Sequence, residues 1–174
     1  KVLSSPDHKT FDVELTYLTS RGKWYMRSWK GLDQKSGGVA TNIGVHFYDM
    51  LQFIFGPIKD LKIYHRDDQT CSGYLEFAKA RVKWFLSIDA TNLPQNAIKG
   101  EKTTFRSILI EGEELEFSGG FTDLHTQSYE EIISGNGFDL NENRAAIEIV
   151  EKIRNEPLCA KRTLIHPLLA TSLR

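Results

Sequence analysis

The sequence predicts an α+β fold: an open, mostly antiparallel β-sheet with helices packed on one face. Three observations point to it. Segments of alternating apolar and polar residues follow one another between positions 60 and 117 with only short turns between them, a spacing that suits antiparallel neighbours rather than parallel crossovers. Helical periodicity is confined to one segment ahead of that run and two behind it. No Gly-x-Gly-x-x-Gly turn follows a strand, so the chain carries no dinucleotide-binding fingerprint and does not read as a doubly wound sheet.

Each element has its own local signal. Residues 11–18 alternate as a half-buried strand does. Residues 19–31 are basic and aromatic without a clean period and read as a loop. Gly37-Gly38 then leads into a helix that Gly56-Pro57 stops. At about 100° per residue, Ile43, Phe47, Met50, Leu51 and Ile54 share one apolar stripe, and Asn42, His46, Asp49 and Phe53 share the stripe beside it. Further strands are expected at 60–65, at 74–77 after a Ser72-Gly73 turn, and at 81–89 with Val82, Trp84, Leu86 and Ile88 on one face. Strands at 105–110 and 115–117 flank a hairpin connection over 111–114. A helix over 122–134 groups Tyr129, Ile132 and Ile133. The last helix, over 141–154, groups Ala146, Ile149, Val150 and Ile153, with Asn141 as its N-cap and Glu142 near its positive end.

At 174 residues the chain is long enough for one domain with a real core and short for two. Residues 11–174 read as that domain. Residues 1–10 are polar and irregular, as a linker or cut end would be, and the chain starts at Lys1, so a longer parent protein is expected. A net charge of -1 with no basic block argues against nucleic acid as a partner. Cys71 and Cys159 lack metal-ligand spacing and read as free thiols of a reducing compartment. No apolar run is long enough to enter a membrane as a span, and no signal-peptide pattern is present, so a soluble cytoplasmic domain is expected.

Two groups of residues could carry chemistry. His46 lies at the edge of the apolar stripe, one turn from Asn42 and near Asp49. Histidine changes charge close to neutral pH and suits proton transfer, but a helix histidine packed at a core edge fits the same pattern. The loop cations Arg21, Lys23, Arg27 and Lys30 interleave with Trp24, Tyr25 and Trp29. Guanidinium forks hold carboxylate or phosphate, and aromatic faces stack on bases and sugars; a solvated loop is the plain alternative. His125 reads as a surface residue at a helix start, and His65 and His166 as structural or exposed. No third ligand accompanies His46 and Asp49 at metal-binding spacing, so no metal is expected.

At these residues the chain resembles the C-terminal domain of the Gfo/Idh/MocA oxidoreductases. The resemblance rests on the aromatic-basic loop, Trp29-Lys30, Gly37-Gly38, Asn42, Gly44, His46 and Asp49 in that order. The fuller strings Tyr17-Leu18-Thr19-Ser20-Arg21-Gly22-Lys23-Trp24-Tyr25, Ser28-Trp29-Lys30-Gly31 and Thr41-Asn42-Ile43-Gly44-Val45-His46-Phe47 are similar to the branch that oxidises UDP-N-acetyl-glucosaminuronate at C3. Residues 124–130, Gly137-Phe138 and the last helix continue the match, so it covers about 11–169.

The resemblance implies an NAD-dependent dehydrogenase whose Rossmann domain and catalytic lysine lie outside this chain, with NAD bound mainly by that domain. It implies that His46 transfers the proton of the sugar hydroxyl and that Arg21, Trp24, Tyr25, Ser28, Trp29 and Lys30 line the sugar-nucleotide pocket. Many relatives carry Asp where this chain has Asn42; an amide is no carboxylate base, so Asn42 is assigned a hydrogen bond to the sugar. A homo-oligomer, dimer or tetramer, through the sheet face and a role in lipopolysaccharide or O-antigen sugar synthesis are further implications. Without its partner domain the chain is expected to be inactive. A ligand-binding or assembly domain that lost the chemistry, and a dehydrogenase of a free sugar or polyol, are the alternatives.

Overall fold

The first strand is the element on which the sheet is assembled, because its neighbours come from both halves of the sequence. A computed structural model describes residues 9–115, 123–137 and 139–172. Strand β1 (Phe11–Thr19) is followed by three short helical pieces, α1 (Lys23–Arg27), a 3-10 turn (Trp29–Gly31) and α2 (Asp33–Ser36). A π-helical turn (Ala40–Gly44) then runs directly into α3 (Val45–Phe55). Strands β2 (Ile58–Arg66), β3 (Thr70–Phe77) and β4 (Ala80–Ser87) follow, then α4 (Gln95–Lys99), β5 (Thr104–Ile110) and β6 (Glu113–Glu114). Helices α5 (Leu124–Ile133), α6 (Leu140–Asn155) and α7 (Pro167–Ser172) complete the chain.

The strand order is β2-β3-β4-β1-β5-β6. All neighbours are antiparallel except the central pair, where β1 runs parallel to β4. Short turns made β2, β3 and β4 a meander, as the sequence led us to expect. They carried no information about β1, which enters beside β4 because the helical segment over 23–55 takes the chain to the far edge before β2 begins.

On one face of the sheet, Val13, Leu15, Leu75, Val82, Trp84, Leu86 and Ile108 are buried beneath Tyr48, Leu51 and Phe55 of α3 and Ile149, Val150 and Ile153 of α6. Each such aliphatic side chain contributes about 1.5–3 kcal/mol when fully buried. Gly73 makes room in this layer: a side chain there would strike the Lys62 carbonyl and come within 2.9 Å of the Trp84 ring. Helix α6 begins at a capping box in which Asp139 accepts from the backbone of Asn141 and Glu142 while the Glu142 side chain accepts from Asp139 N. Two backbone bonds hold the Asp139 carboxyl below its ordinary pKa. At the other end, Arg66 Nη1 donates to the carbonyls of Ile153 at 2.6 Å and Glu156 at 3.0 Å, satisfying acceptors a helix end leaves open.

The opposite face is divided. Near one end it is charged, with the Arg81–Asp12 pair at 3.0 Å and Lys83–Glu14 at 2.9 Å. Near the other, Leu168 and Leu169 of α7 pack on Leu18, Tyr64, Tyr74 and Phe85. His166 is buried there, stacked on Phe85. Its Nδ1 accepts from Leu168 N at 3.2 Å, so Nε2 bears the hydrogen and donates to Thr16 Oγ1 at 3.0 Å.

Several local expectations are corrected. Ser72-Gly73 lies inside β3, and the turn is made instead at Asp67, whose Oδ1 accepts from Gln69 N and Thr70 N. Glycine marked close packing there, not a bend. The cap of α6 is Asp139 rather than Asn141, since the carboxylate two residues earlier reaches the free N–H groups. Residues 23–27 and 29–31 are helical, too short for a period to show. The hairpin after β5 turns at Glu111-Gly112, both with positive φ, so Glu113–Glu114 is strand. Of the strand expected at 115–117, residues 116 and 117 lie outside the described residues, as do Thr122 of the expected helix and Phe138. In α5, Tyr129, Ile132 and Ile133 are exposed rather than buried.

Two outcomes follow for stability. Burial, with Lys83 adding to it against Glu14, pushes the His166 pKa down to about 4, while an unfolded histidine titrates near about 6.5. The unfolded chain therefore takes the proton first, and stability present above about pH 6.5 falls by up to about 3 kcal/mol as pH drops toward 4. Urea denaturation between pH 7.5 and 4.5 should show this slope, and His166→Gln should flatten it. Gly73→Ala should lower stability at neutral pH by about 1–3 kcal/mol through overpacking.

Candidate active site

The π-helical turn over Ala40–Gly44 sets the geometry from which the site is built. Two glycines with positive φ precede it, Gly37 at 78° and Gly38 at 73°. A side chain at Gly37 would collide with Thr41, and one at Gly38 with Asp33, so only glycine fits at both positions. Thr41 Oγ1 donates to the Gly37 carbonyl at 2.7 Å, and Asn42 Nδ2 donates to the Gly38 carbonyl at 2.9 Å. Inserted turns of this type change which residues face which side and recur at functional sites.

Helix α3 then lies low on the sheet. A side chain at Gly44 would come within 2.8 Å of Leu86 Cδ1 and of the Tyr48 ring and hydroxyl, and Tyr48 meets Trp84 edge-on with centroids 5.7 Å apart. The fully buried residues of α3 are Tyr48, Leu51 and Phe55, so the apolar stripe is centred one position away from the one periodicity predicts. Phe47, Met50 and Ile54 are consequently only partly buried. They form the shoulder of the helix, and His46 beside them is exposed.

A pocket of about 570 Å³ opens along that shoulder. Asn42, Ile43, His46, Phe47 and Met50 form its helical wall. Tyr17 and Arg106 come up from the sheet, Arg21 from the segment after β1, and Leu124 from the start of α5. Tyr17 packs against Phe47 at 5.0 Å between ring centroids, and the Arg106 guanidinium stands 5.2 Å from the Tyr17 ring centroid. Among the described residues that line the pocket there is no aspartate or glutamate, and the polar groups there are two arginines, an imidazole, an amide and a phenol. An anionic, hydroxylated ligand matches that lining.

Of the residues singled out in the sequence, the pocket brings together His46, Asn42 and Arg21. The others are placed around them. Tyr25 and Lys30 line a separate pocket of about 180 Å³ with Asp33, Arg66 and Asp67. Tyr25 is buried, which raises its phenol above the ordinary pKa. Ser28 is a cap: its Oγ donates to the Tyr25 carbonyl at 2.8 Å and accepts from Lys30 N at 3.3 Å. Trp24 and Trp29 are both 56% exposed, so a loop without helical period holds two large rings in solvent.

The two groups are nevertheless tied by backbone. The Lys30 carbonyl accepts from Ser36 Oγ at 2.8 Å and from Asn42 Nδ2 at 3.4 Å. Asn42 Nδ2 thus donates to both sides of the glycine turn. Asn42→Asp would set a carboxylate against two carbonyl oxygens. It should cost about 1–3 kcal/mol in denaturant unfolding, whereas an exposed Asp49→Asn should change stability by less than about 0.5 kcal/mol.

Sequence reasoning missed Tyr17, Ile43, Phe47, Met50, Arg106 and Leu124 as lining residues. For Arg106 a signal existed: it shares strand parity with Ile108 and Ile110, a cation on the apolar side of β5. Tyr17 and Phe47 gave none, because both read as ordinary core residues.

Comparison with known proteins agrees with the architecture. Residues 9–152 match the C-terminal alpha/beta domain of an oxidoreductase family, Gfo/Idh/MocA. The WlbA (WbpB) dehydrogenase from Thermus thermophilus, solved in complex with NAD and alpha-ketoglutarate, is 47% identical with a TM-score of 0.85, over 91% of this chain and 52% of that one. The same dehydrogenase solved with NAD and UDP-GlcNAcA is 46% identical with a TM-score of 0.84, over 91% and 51%. WlbA from Bordetella pertussis, at 18% identity and a TM-score of 0.60 over 84% and 52%, shares the fold. This chain therefore spans about half the length of these structures.

Proposed function

The chain belongs to the Gfo/Idh/MocA oxidoreductase family as its C-terminal domain, and from that membership we propose that it is the substrate-binding half of an NAD-dependent dehydrogenase that oxidises the 3-hydroxyl of a UDP-N-acetyl-hexosaminuronic acid. The observation that carries the reading is the pocket itself, which brings together His46 and Asn42 on its helical wall with Arg21 and Arg106, and has no acid among its described lining residues. The NAD-bound dehydrogenase that is 46% identical to this chain was solved with UDP-GlcNAcA, a ligand of that chemistry.

Oxidation of a secondary alcohol to a ketone removes a hydride from carbon and a proton from oxygen. NAD, when bound, supplies the hydride acceptor. The described residues place no glycine-rich strand-to-helix turn at the pocket, so they fit the substrate rather than the dinucleotide, which we assign to a further domain with the catalytic lysine. His46 takes or relays the hydroxyl proton, Asn42 Oδ1 accepts a hydrogen bond from a neighbouring sugar hydroxyl, and Arg21 holds an anionic group. The exposed Trp24 and Trp29 with Lys30 extend this surface toward the nucleotide, while Tyr25 and Ser28 keep the loop in shape. Full-length enzyme, free thiols at Cys71 and Cys159, and a charged sheet face left open at Asp12–Arg81 fit a cytoplasmic homo-oligomer making a 3-keto sugar nucleotide for lipopolysaccharide or O-antigen synthesis.

In the full-length protein, His46→Asn should lower kcat by about 10²–10⁴-fold while calorimetry shows the UDP-GlcNAcA Kd unchanged within about threefold. Retained kcat would remove His46 from proton transfer. Arg21→Ala should weaken UDP-GlcNAcA binding by about tenfold or more, and unchanged affinity would remove Arg21 from the pocket.

A further inference from the structure

We infer that the apolar side of α5 is the seat of the other half of the polypeptide, the half that brings NAD to the pocket. This rests on the substrate reading above and adds to it the surface on which the two halves meet. Helix α5 has an apolar side with nothing packed on it. At about 100° per residue, Leu124, Tyr129, Ile132 and Ile133 fall within one half of its circumference, and Thr126, Gln127, Glu130 and Glu131 within the other. Yet every residue over 123–137 is exposed, Ile133 at 85%. Helix α6, next in the chain, buries Ala146, Ile149, Val150 and Ile153 but leaves Leu140 and Ile147, about two turns apart on one flank, in solvent.

A ten-residue helix does not hold its shape in water through backbone bonds alone; it needs its apolar side packed. Large apolar and aromatic side chains gathered on one exposed side mark a surface that another body covers. The position of α5 says which body. Its first residue, Leu124, lines the main pocket, and it also lines a groove of about 390 Å³ shared with Ser128 and Ile132. Pocket and groove therefore have a wall in common. Hydride transfer needs the nicotinamide about 3–3.5 Å from the sugar carbon that gives up the hydride. The half that carries the nicotinamide must then stand over this pocket, against the first turn of α5. The NAD-bound dehydrogenases at 46–47% identity have the chain to do so, since the part matched here is about half of their length. A second copy of this domain would cover the apolar side without accounting for its junction with the pocket.

The test replaces Tyr129 or Ile133, in separate variants of the full-length enzyme, by the photoreactive residue p-benzoylphenylalanine and irradiates each with NAD present. Both should give an adduct with the mass of one chain, mapped by peptide mass spectrometry to polypeptide outside residues 1–174. An adduct with the mass of two chains, an adduct within residues 1–174, or none at either position overturns the assignment. Ile133→Glu gives an independent reading, because a side chain this exposed leaves its own domain folded. It should lower kcat by about 10- to 100-fold through misplacement of the nicotinamide, with UDP-GlcNAcA affinity within about threefold and oligomer mass unchanged. A smaller oligomer with kcat retained overturns the assignment in favour of a second copy, and no change in either leaves the surface unused and overturns it too. The adduct forms without turnover, so failure of the docking surface is read from it alone. Failure of the substrate reading is read separately, from a wild-type enzyme that leaves UDP-GlcNAcA unoxidised.

Discussion

The height of α3 above the sheet is the constraint on which the rest of the structure depends. Two glycines set it. Gly44 lets the helix backbone approach Leu86 and leaves the space that Tyr48 fills, and Gly73 opens the sheet beneath for the Trp84 ring that Tyr48 meets edge-on. A methyl group at either position would lift the helix or displace the indole, and close-packed interiors absorb such changes poorly. With α3 this low, Phe47 reaches Tyr17 on β1, and the shoulder of the helix rather than its buried stripe becomes the wall of the pocket.

The same constraint accounts for the form of the segment before α3. To place His46 on the open side while Tyr48, Leu51 and Phe55 face the sheet, the chain enters through a wide π-helical turn. Positive φ at Gly37 and Gly38 and the bonds from Thr41 and Asn42 to their carbonyls stabilise that entry. Asn42 and Ser36 both meet the Lys30 carbonyl, so the aromatic-basic loop is fastened to the start of the helix while its Arg21 side chain lines the main pocket. Function and framework are divided between neighbouring residues: Ser28 and Tyr25 shape the loop, while Trp24 and Trp29 stand in solvent.

The two faces of the sheet have different chemistry for a simple reason. One is covered by α3 and α6 and carries the main apolar core. The other combines exposed ion pairs at Asp12, Glu14, Arg81 and Lys83 with a patch closed by α7 and the buried, neutral His166. A histidine in that position satisfies both ring nitrogens, one as acceptor and one as donor, and so tolerates burial that an unpaired polar group would not. Each of these roles follows from which side of a strand the residue occupies.

Local sequence by itself determined the elements and the classes of residue. Alternation located β4 and its inner face of Val82, Trp84, Leu86 and Ile88, helical period located α6 and its four buried residues, and Gly56-Pro57 marked the end of α3. Proximity in the chain also joined Asn42 to His46. Tertiary structure alone decided what long-range pairing controls. The parallel β1–β4 register, the use of Gly73 for packing rather than turning, the exposure of α5 and the meeting of Arg106 with Tyr17 each depend on residues far apart in sequence. A period reports which side of an element is apolar; only the assembled sheet fixes what stands opposite. Arg106 shows the limit most clearly, since its parity on β5 was legible while its pocket exists only where β1, β5 and α3 converge.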